Sequence, residues 1–179
     1  MTEKEMLVLA KAEGFDAACV VNTADIIFDA AFRPYCAANY CGQYGANYTC
    51  PPDCGEPEAM KARIVAHKKA LVLQTIWEIP DWHDTAVVKK SKKSHNAGEL
   101  KVMKALRAQG VPGFIVGSSN CSLCSPCGAL EGKPCPHPED RWSCMSAYCI
   151  YVKALAEHCG MPYDCGEGKV AFFGMYVFD

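Results

Sequence analysis

The chain has 179 residues, half of them apolar or aromatic and 21% charged, with a formal net charge of −2. Such a chain is long enough to bury a core without covalent staples. Its slight acidic excess excludes the basic surface expected of a nucleic-acid binder, and no apolar run is long enough to cross a bilayer.

The opening "MTEKEMLVLAKAEGF" is charged and amphipathic, without the apolar core or cleavage site of a secretion signal. Across 3–13, Met6, Leu9 and Ala10 fall on one helical face, and Gly14 ends the run. "FDAACVVN", 15–22, is almost continuously apolar, which predicts a strand covered on both sides. A loop rich in Cys, Tyr, Gly and Pro follows over about 34–55. Residues 56–69 read as a helix and "ALVLQTIW", 70–77, as a second buried strand. Leu100, Met103 and Leu106 keep helical register within 85–109, closed by Gly110 and Pro112. "GFIVGSS", 113–119, predicts a third strand running into a second cysteine loop, about 120–138. Residues 142–159 predict a helix, with Met145, Cys149, Val152 and Leu155 at three- and four-residue steps. "KVAFFGMYVF", 169–178, predicts the last strand.

Strand, cysteine loop, helix and strand thus occur twice, over 15–77 and 113–178. The layout predicts a single α/β domain over 1–179, a sheet of about four strands with packed helices. A ferredoxin-like α+β sandwich is the alternative. If the first and third strands run parallel, both cysteine loops leave the same edge of the sheet and meet there.

Thirteen cysteines are the outstanding feature. An odd count cannot be fully paired, and without a secretion signal the expected compartment is the reducing cytoplasm. There, clustered cysteines point to metal or redox chemistry rather than to a disulfide framework. In "NCSLCSPCGALEGKPCP", Cys121, Cys124 and Cys127 stand at three-residue intervals and Cys135 precedes Pro136. A Cys-x-x-Cys step aims two sulfurs at one centre, and three in series match three corners of an iron–sulfur cubane. The bacterial ferredoxin run begins in the same way and also ends in Cys-Pro, though its last spacing is shorter. Ser122, Gly128 and Gly132 leave room for backbone N–H groups to reach cluster sulfur.

The first loop reads "YCAANYCGQYGANYTCPPDC", with Cys36, Cys41, Cys50 and Cys54 as its thiols. Gly42 and Gly45 let the chain wrap closely, and Tyr40, Tyr44 and Tyr48 are candidates to screen a centre from water. Eight cysteines in two sets of four suit one or two [4Fe–4S] clusters, with the assignment within the eight open, since a fourth cysteine can serve the other cluster. Zinc is the alternative, held by Cys121, Cys124, Cys135 and His137.

The remaining thiols invite plainer readings. Cys144 and Cys149 lie near the start of the 142–159 helix, five apart and off one face, so a shared metal is not expected; Cys149 reads as a small buried hydrophobe. Cys19 reads as structural, and Cys159 and Cys165, flanking "GMPYD", as core or turn positions rather than a redox pair. "KKSKKSH", 89–95, is most simply a solvated helix face. The sharper expectation is that Lys89–Lys93 forms a docking patch for an acidic redox partner. No nucleotide-binding glycine motif, nucleophile elbow or zinc-protease helix is present, so no catalytic residues are assigned.

In "CGQYGANYTCPP" and "CSLCSPC…KPCPHPED", the chain resembles a prokaryotic family known only as predicted metal-binding proteins of unknown function. The likeness spans about 15–160 and implies metal binding, with iron–sulfur chemistry as its expected form. By position the family's cysteines fall on Cys36, Cys41, Cys50, Cys121, Cys124, Cys127 and Cys135. Where the family has an Arg-Pro-Ser-Met-Glu-Ala-like segment this chain has "WSCMSA", and Cys54, Cys144 and Cys149 are not general family features. The expected function is electron transfer or a small redox module. Were Cys36, Cys41 and Cys50 the first loop's only ligands, an open iron would suit an enzyme instead.

Overall fold

The computed structural model describes residues 1–179. Helix α1, Glu3–Ala12, begins in a capping box: the Thr2 side chain accepts the Glu5 N–H while the Glu5 carboxylate accepts the Thr2 N–H. Strand β1, Ala17–Asn22, follows. Within the long first loop lies the short helix α2, Arg33–Ala37. Helix α3, Pro57–Val65, starts with proline in its first turn, where no N–H is needed, and leads into β2, Lys69–Glu78. Asp84 caps helix α4, Thr85–Ala108, by accepting the Ala86 and Val87 N–H groups. The chain then forms β3, Gly113–Val116, the second cysteine loop, helix α5, Val152–His158, and β4, Lys169–Phe178.

The four strands form one sheet in the order β1-β2-β4-β3, every neighbouring pair antiparallel. The α/β layout of two halves holds, and it extends further than the sequence suggested. Each half is helix–strand–cysteine loop–helix–strand: α1, β1, loop, α3, β2, and then α4, β3, loop, α5, β4. Strand order and directions are those that a two-fold axis normal to the sheet, between β2 and β4, would generate.

Alternating side chains divide the core in two. Ala70, Val72, Met175 and Val177 face Met60 and Ile64 of α3 and Leu155 and Ala156 of α5. Leu71, Leu73, Tyr176 and Phe178 face Met6 and Ala10 of α1 and Val102, Met103 and Leu106 of α4. Cover on both faces explains the near-continuous apolar strands, although the sheet is antiparallel.

Two expectations are corrected. Residues 142–151 are not helical; helix begins only at Val152. The strap's backbone is used elsewhere: Gly117 N–H donates to Ser143 C=O at 3.0 Å, Met145 N–H to Gly117 C=O at 3.0 Å, and Asp29 N–H to Cys149 C=O at 2.8 Å. Cys149 itself is left-handed, φ 57°. Met145, Ala147, Tyr148 and Ile150 are all buried in the α3/α5 core, so apolar density rather than helix set the spacing. Second, β1 and β3 run in opposite directions, and their loops leave opposite edges of the sheet.

Helix α4 is also less solvated than its lysines suggest, because Ser91, His95, Asn96 and Glu99 are buried between it and the sheet. His95 Nδ1 lies 2.7 Å from Thr75 Oγ1, which also accepts the Trp77 indole N–H at 2.8 Å. Glu99 stands 3.8 Å from His95 Nε2, and its carboxyl takes the space that a Cβ at Gly174 would need. Desolvation lowers the His95 pKa to about 3, which keeps the ring neutral at pH 7, and raises that of Glu99 by disfavouring its carboxylate.

Candidate metal centre

The loops meet by travel rather than by strand direction. Leaving β1, the first loop runs backwards along the 142–151 strap. Tyr151 N–H donates to Ile27 C=O at 2.9 Å, Phe28 bridges Ile150, and Arg33 Nη2 donates to Ala147 C=O at 2.9 Å. Cys36 Sγ then lies 3.9 Å from Ser146 C=O. Farther on, Asn47 Nδ2 donates to Cys121 C=O at 3.1 Å and Cys121 N–H to Thr49 Oγ1 at 3.3 Å. Asn120 Nδ2 donates to Gln43 Oε1 at 3.0 Å, and the Tyr48 hydroxyl to Lys133 C=O at 2.8 Å.

This path yields two thiol groups. Cys121, Cys124, Cys127 and Cys135 line one small pocket together with Tyr48, Thr49, His137 and Arg141. Cys121 anchors it, packed with Leu123 against the α1/α4 core. Burial raises the Cys121 pKa, while the Leu123 and Trp142 N–H groups oppose the rise by favouring the thiolate. Trp142 also donates its indole N–H to Ser119 C=O at 3.0 Å, and Gly117 is required beside it, since a Cβ there would lie 2.6 Å from that nitrogen. The pocket gathers all four cysteines expected of the second loop, and His137 with them.

Cys36, Cys41, Cys50 and Cys54 gather at the strap, and Cys144 stands among them. Cys36, Cys41, Cys50 and Cys144 are each close enough to the other three for charge on one to disfavour charge on the next. Burial is the larger effect: it pushes the Cys36 thiol up to about 11 and raises Cys50, Cys54 and Cys144 as well. Such thiols are neutral at pH 7 until a cation displaces their protons. Around Cys144 the Ser146 and Ala147 N–H groups point at sulfur and favour the thiolate. Cys54 is placed differently, with Arg33 Nη1 3.9 Å from its sulfur and donating to Gly55 C=O at 2.9 Å.

Cys144 is the one thiol of this group that the sequence reading did not place there. The sequence reading placed it at the start of a helix, whereas it lies in the non-helical strap. The tyrosines need correcting too: Tyr40 is 92% exposed and Tyr44 40%, so neither screens a centre, and Tyr48 serves the second pocket. Cys149 is buried, as expected. Cys159 faces Cys19 rather than Cys165, and burial together with that neighbouring thiol raises the Cys159 pKa. No three His, Cys, Asp or Glu side chains close to the distances of a single bound ion.

Between the two groups opens a cleft of about 730 Å³. Cys41 lines one side and Cys121, Cys124 and Cys127 the other, while Lys89, Lys92 and Lys93 of α4 supply its only charged side chains.

The donor set suits a thiophilic metal: thiols gathered in one group of five and one of four, with backbone N–H groups directed at sulfur, meet the chemistry of iron–sulfur or zinc ligation. No helix is long and apolar enough to cross a membrane. Neither the curated proteins nor the solved structures contain a match to the chain. Residues 19–178 do match one family, and on that match the chain belongs to the predicted metal-binding proteins of the family DUF2284.

Proposed function

We propose that this protein carries two [4Fe–4S] clusters and works as an electron carrier or small redox module. The observation that supports this reading is the separation of the loop thiols into two groups, each made of thiols from spaced cysteine motifs. Tetrahedral zinc, with Zn–S near 2.3 Å, would draw its sulfurs to about 3.8 Å from one another. A cubane holds its four thiolates farther apart, because each binds a different iron. When bound, the clusters would supply one-electron chemistry. The chain's own part is to hold the thiolates, direct N–H groups at sulfur and limit water, all of which tune potential.

Anaerobic reconstitution tests the proposal. Broad absorbance near ~400 nm, about eight iron and eight sulfide per chain, and an EPR signal on reduction are expected. A colourless chain that takes up zinc and no iron would reject it. Zinc is the second reading because His137 shares the pocket with Cys121, Cys124 and Cys135.

The lysine-lined cleft supports an acidic redox protein as partner, docking over Lys89–Lys93 between the two centres. Its on-rate should fall steeply with salt, and Lys89→Glu with Lys93→Glu should slow it at least tenfold at low ionic strength. An on-rate indifferent to both salt and these substitutions would exclude this surface.

A further inference from the structure

We propose that Cys144, and not Cys54, is the fourth thiolate of the first metal centre, completing a set with Cys36, Cys41 and Cys50. The inference rests on the metal-centre reading above and goes beyond it by fixing the ligand set and closing the coordination site through which an open-iron enzyme would work.

Placement carries it. A four-thiolate centre requires four sulfurs that are all mutual neighbours. Cys36, Cys41, Cys50 and Cys144 interact electrostatically in each of their six pairs, which places the four thiols in one neighbourhood. Cys54 also neighbours Cys50 and Cys144, so what sets it apart is its other contact. Its sulfur lies beside the Arg33 guanidinium, which donates to Gly55 C=O and Ala147 C=O and so fixes that corner for structure.

The strap holds Cys144 ready. A parallel bridge ties it to Gly117 at the end of β3, and the bonds from Gly117 N–H to Ser143 and from Met145 N–H to Gly117 fix both flanks at 3.0 Å. Ser146 and Ala147 N–H groups aim at its sulfur, as they would at a metal-bound thiolate. Cys36, from the first loop, reaches this same turn, its sulfur 3.9 Å from Ser146 C=O. One half of the molecule therefore contributes three thiols and the other half the fourth, a crossed arrangement with precedent in two-cluster ferredoxins.

The test compares Cys144→Ala and Cys54→Ala after anaerobic reconstitution, reading iron, sulfide and EPR rather than activity. Cys144→Ala should lose about half the iron, or show the oxidised-state signal of a three-iron cluster, while its second cluster persists and reports that the chain is folded. Cys54→Ala should match wild type in both readouts. Full iron and an unchanged spectrum in Cys144→Ala, or iron loss in Cys54→Ala, would overturn the assignment. Should Cys144→Ala not fold, Cys54→Ala alone decides: unchanged iron supports the assignment and loss overturns it. Wild type that binds zinc and no iron defeats the iron–sulfur reading but not this one, for Cys144→Ala should then lose one zinc and Cys54→Ala none. Wild type that binds neither metal overturns both.

Discussion

The two thiol groups are built on opposite plans. The second lies within one loop, its four cysteines inside fifteen residues, three at strict intervals. The first draws on residues more than a hundred positions apart and exists only because the loop after β1 lies along the 142–151 strap. Burial makes the thiolate costly at Cys36, Cys50, Cys54 and Cys144 in the first group and at Cys121 in the second. A local motif can hold its ligands before the fold is complete, whereas a composite site depends on the fold for its assembly. The first centre should therefore fail whenever the strap or the loop path is disturbed.

The most severe way to break this contrast is at Trp142, which supports the second loop from within the α1/α4 core. Trp142→Ala should cost about 3–5 kcal/mol in urea unfolding and reduce metal at both centres, since the strap begins at this residue. Next comes Arg33→Met, which removes the link between the first loop and Ala147. It should cost about 2 kcal/mol and deplete the first centre while leaving the second at its wild-type content. Metal analysis of the variant reads the difference, and equal loss from both would undo the distinction. Arg33→Lys should not restore it, because one ammonium cannot serve both carbonyls in the guanidinium's geometry.

Tyr48→Phe is milder, removing one half-exposed hydrogen bond to Lys133 for about 0.5–1 kcal/mol, with faster chelator release from the second centre only. The smallest effect on metal content, none, is expected of Glu99→Gln, which serves as the control. The raised Glu99 pKa means that the folded chain keeps a proton which the unfolded chain releases above its ordinary value. Stability drawn from Glu99 is thus present at low pH and lost as pH rises. Glu99→Gln should accordingly gain in melting temperature over wild type as pH rises above the ordinary carboxylate range. His95 acts in the opposite sense: its pKa of about 3 withdraws stability as pH falls below the ordinary imidazole range, and Glu99→Gln leaves that acid limb intact.

What could be read in advance follows the same division. The strands were legible as short, nearly continuous apolar runs, α4 because its side chains repeat with the 3.6-residue period that burial imposes, and the second cysteine set because its geometry is local. Cys144 was not legible. "WSCMSAYCIYVKALAEHC" has helical spacing throughout, yet only its last part is helix, because the backbone of Ser143, Met145 and Cys149 bonds to distant segments. The direction of β3 against β1 was equally hidden, since both strands are covered on both faces and each reads as a plain apolar run. The lysines of α4 concealed His95 and Glu99 on the opposite side of the same turns.

Cys41 is the only one of the thirteen cysteines that is exposed. Peroxide meeting the metal-free protein would find that sulfur before any other, oxidising it to a sulfenic acid with release of water, a product that small thiols reverse. Peroxide sensitivity in this molecule would then begin at one loop tip, with damage that is repairable so long as the deeper sulfurs are untouched.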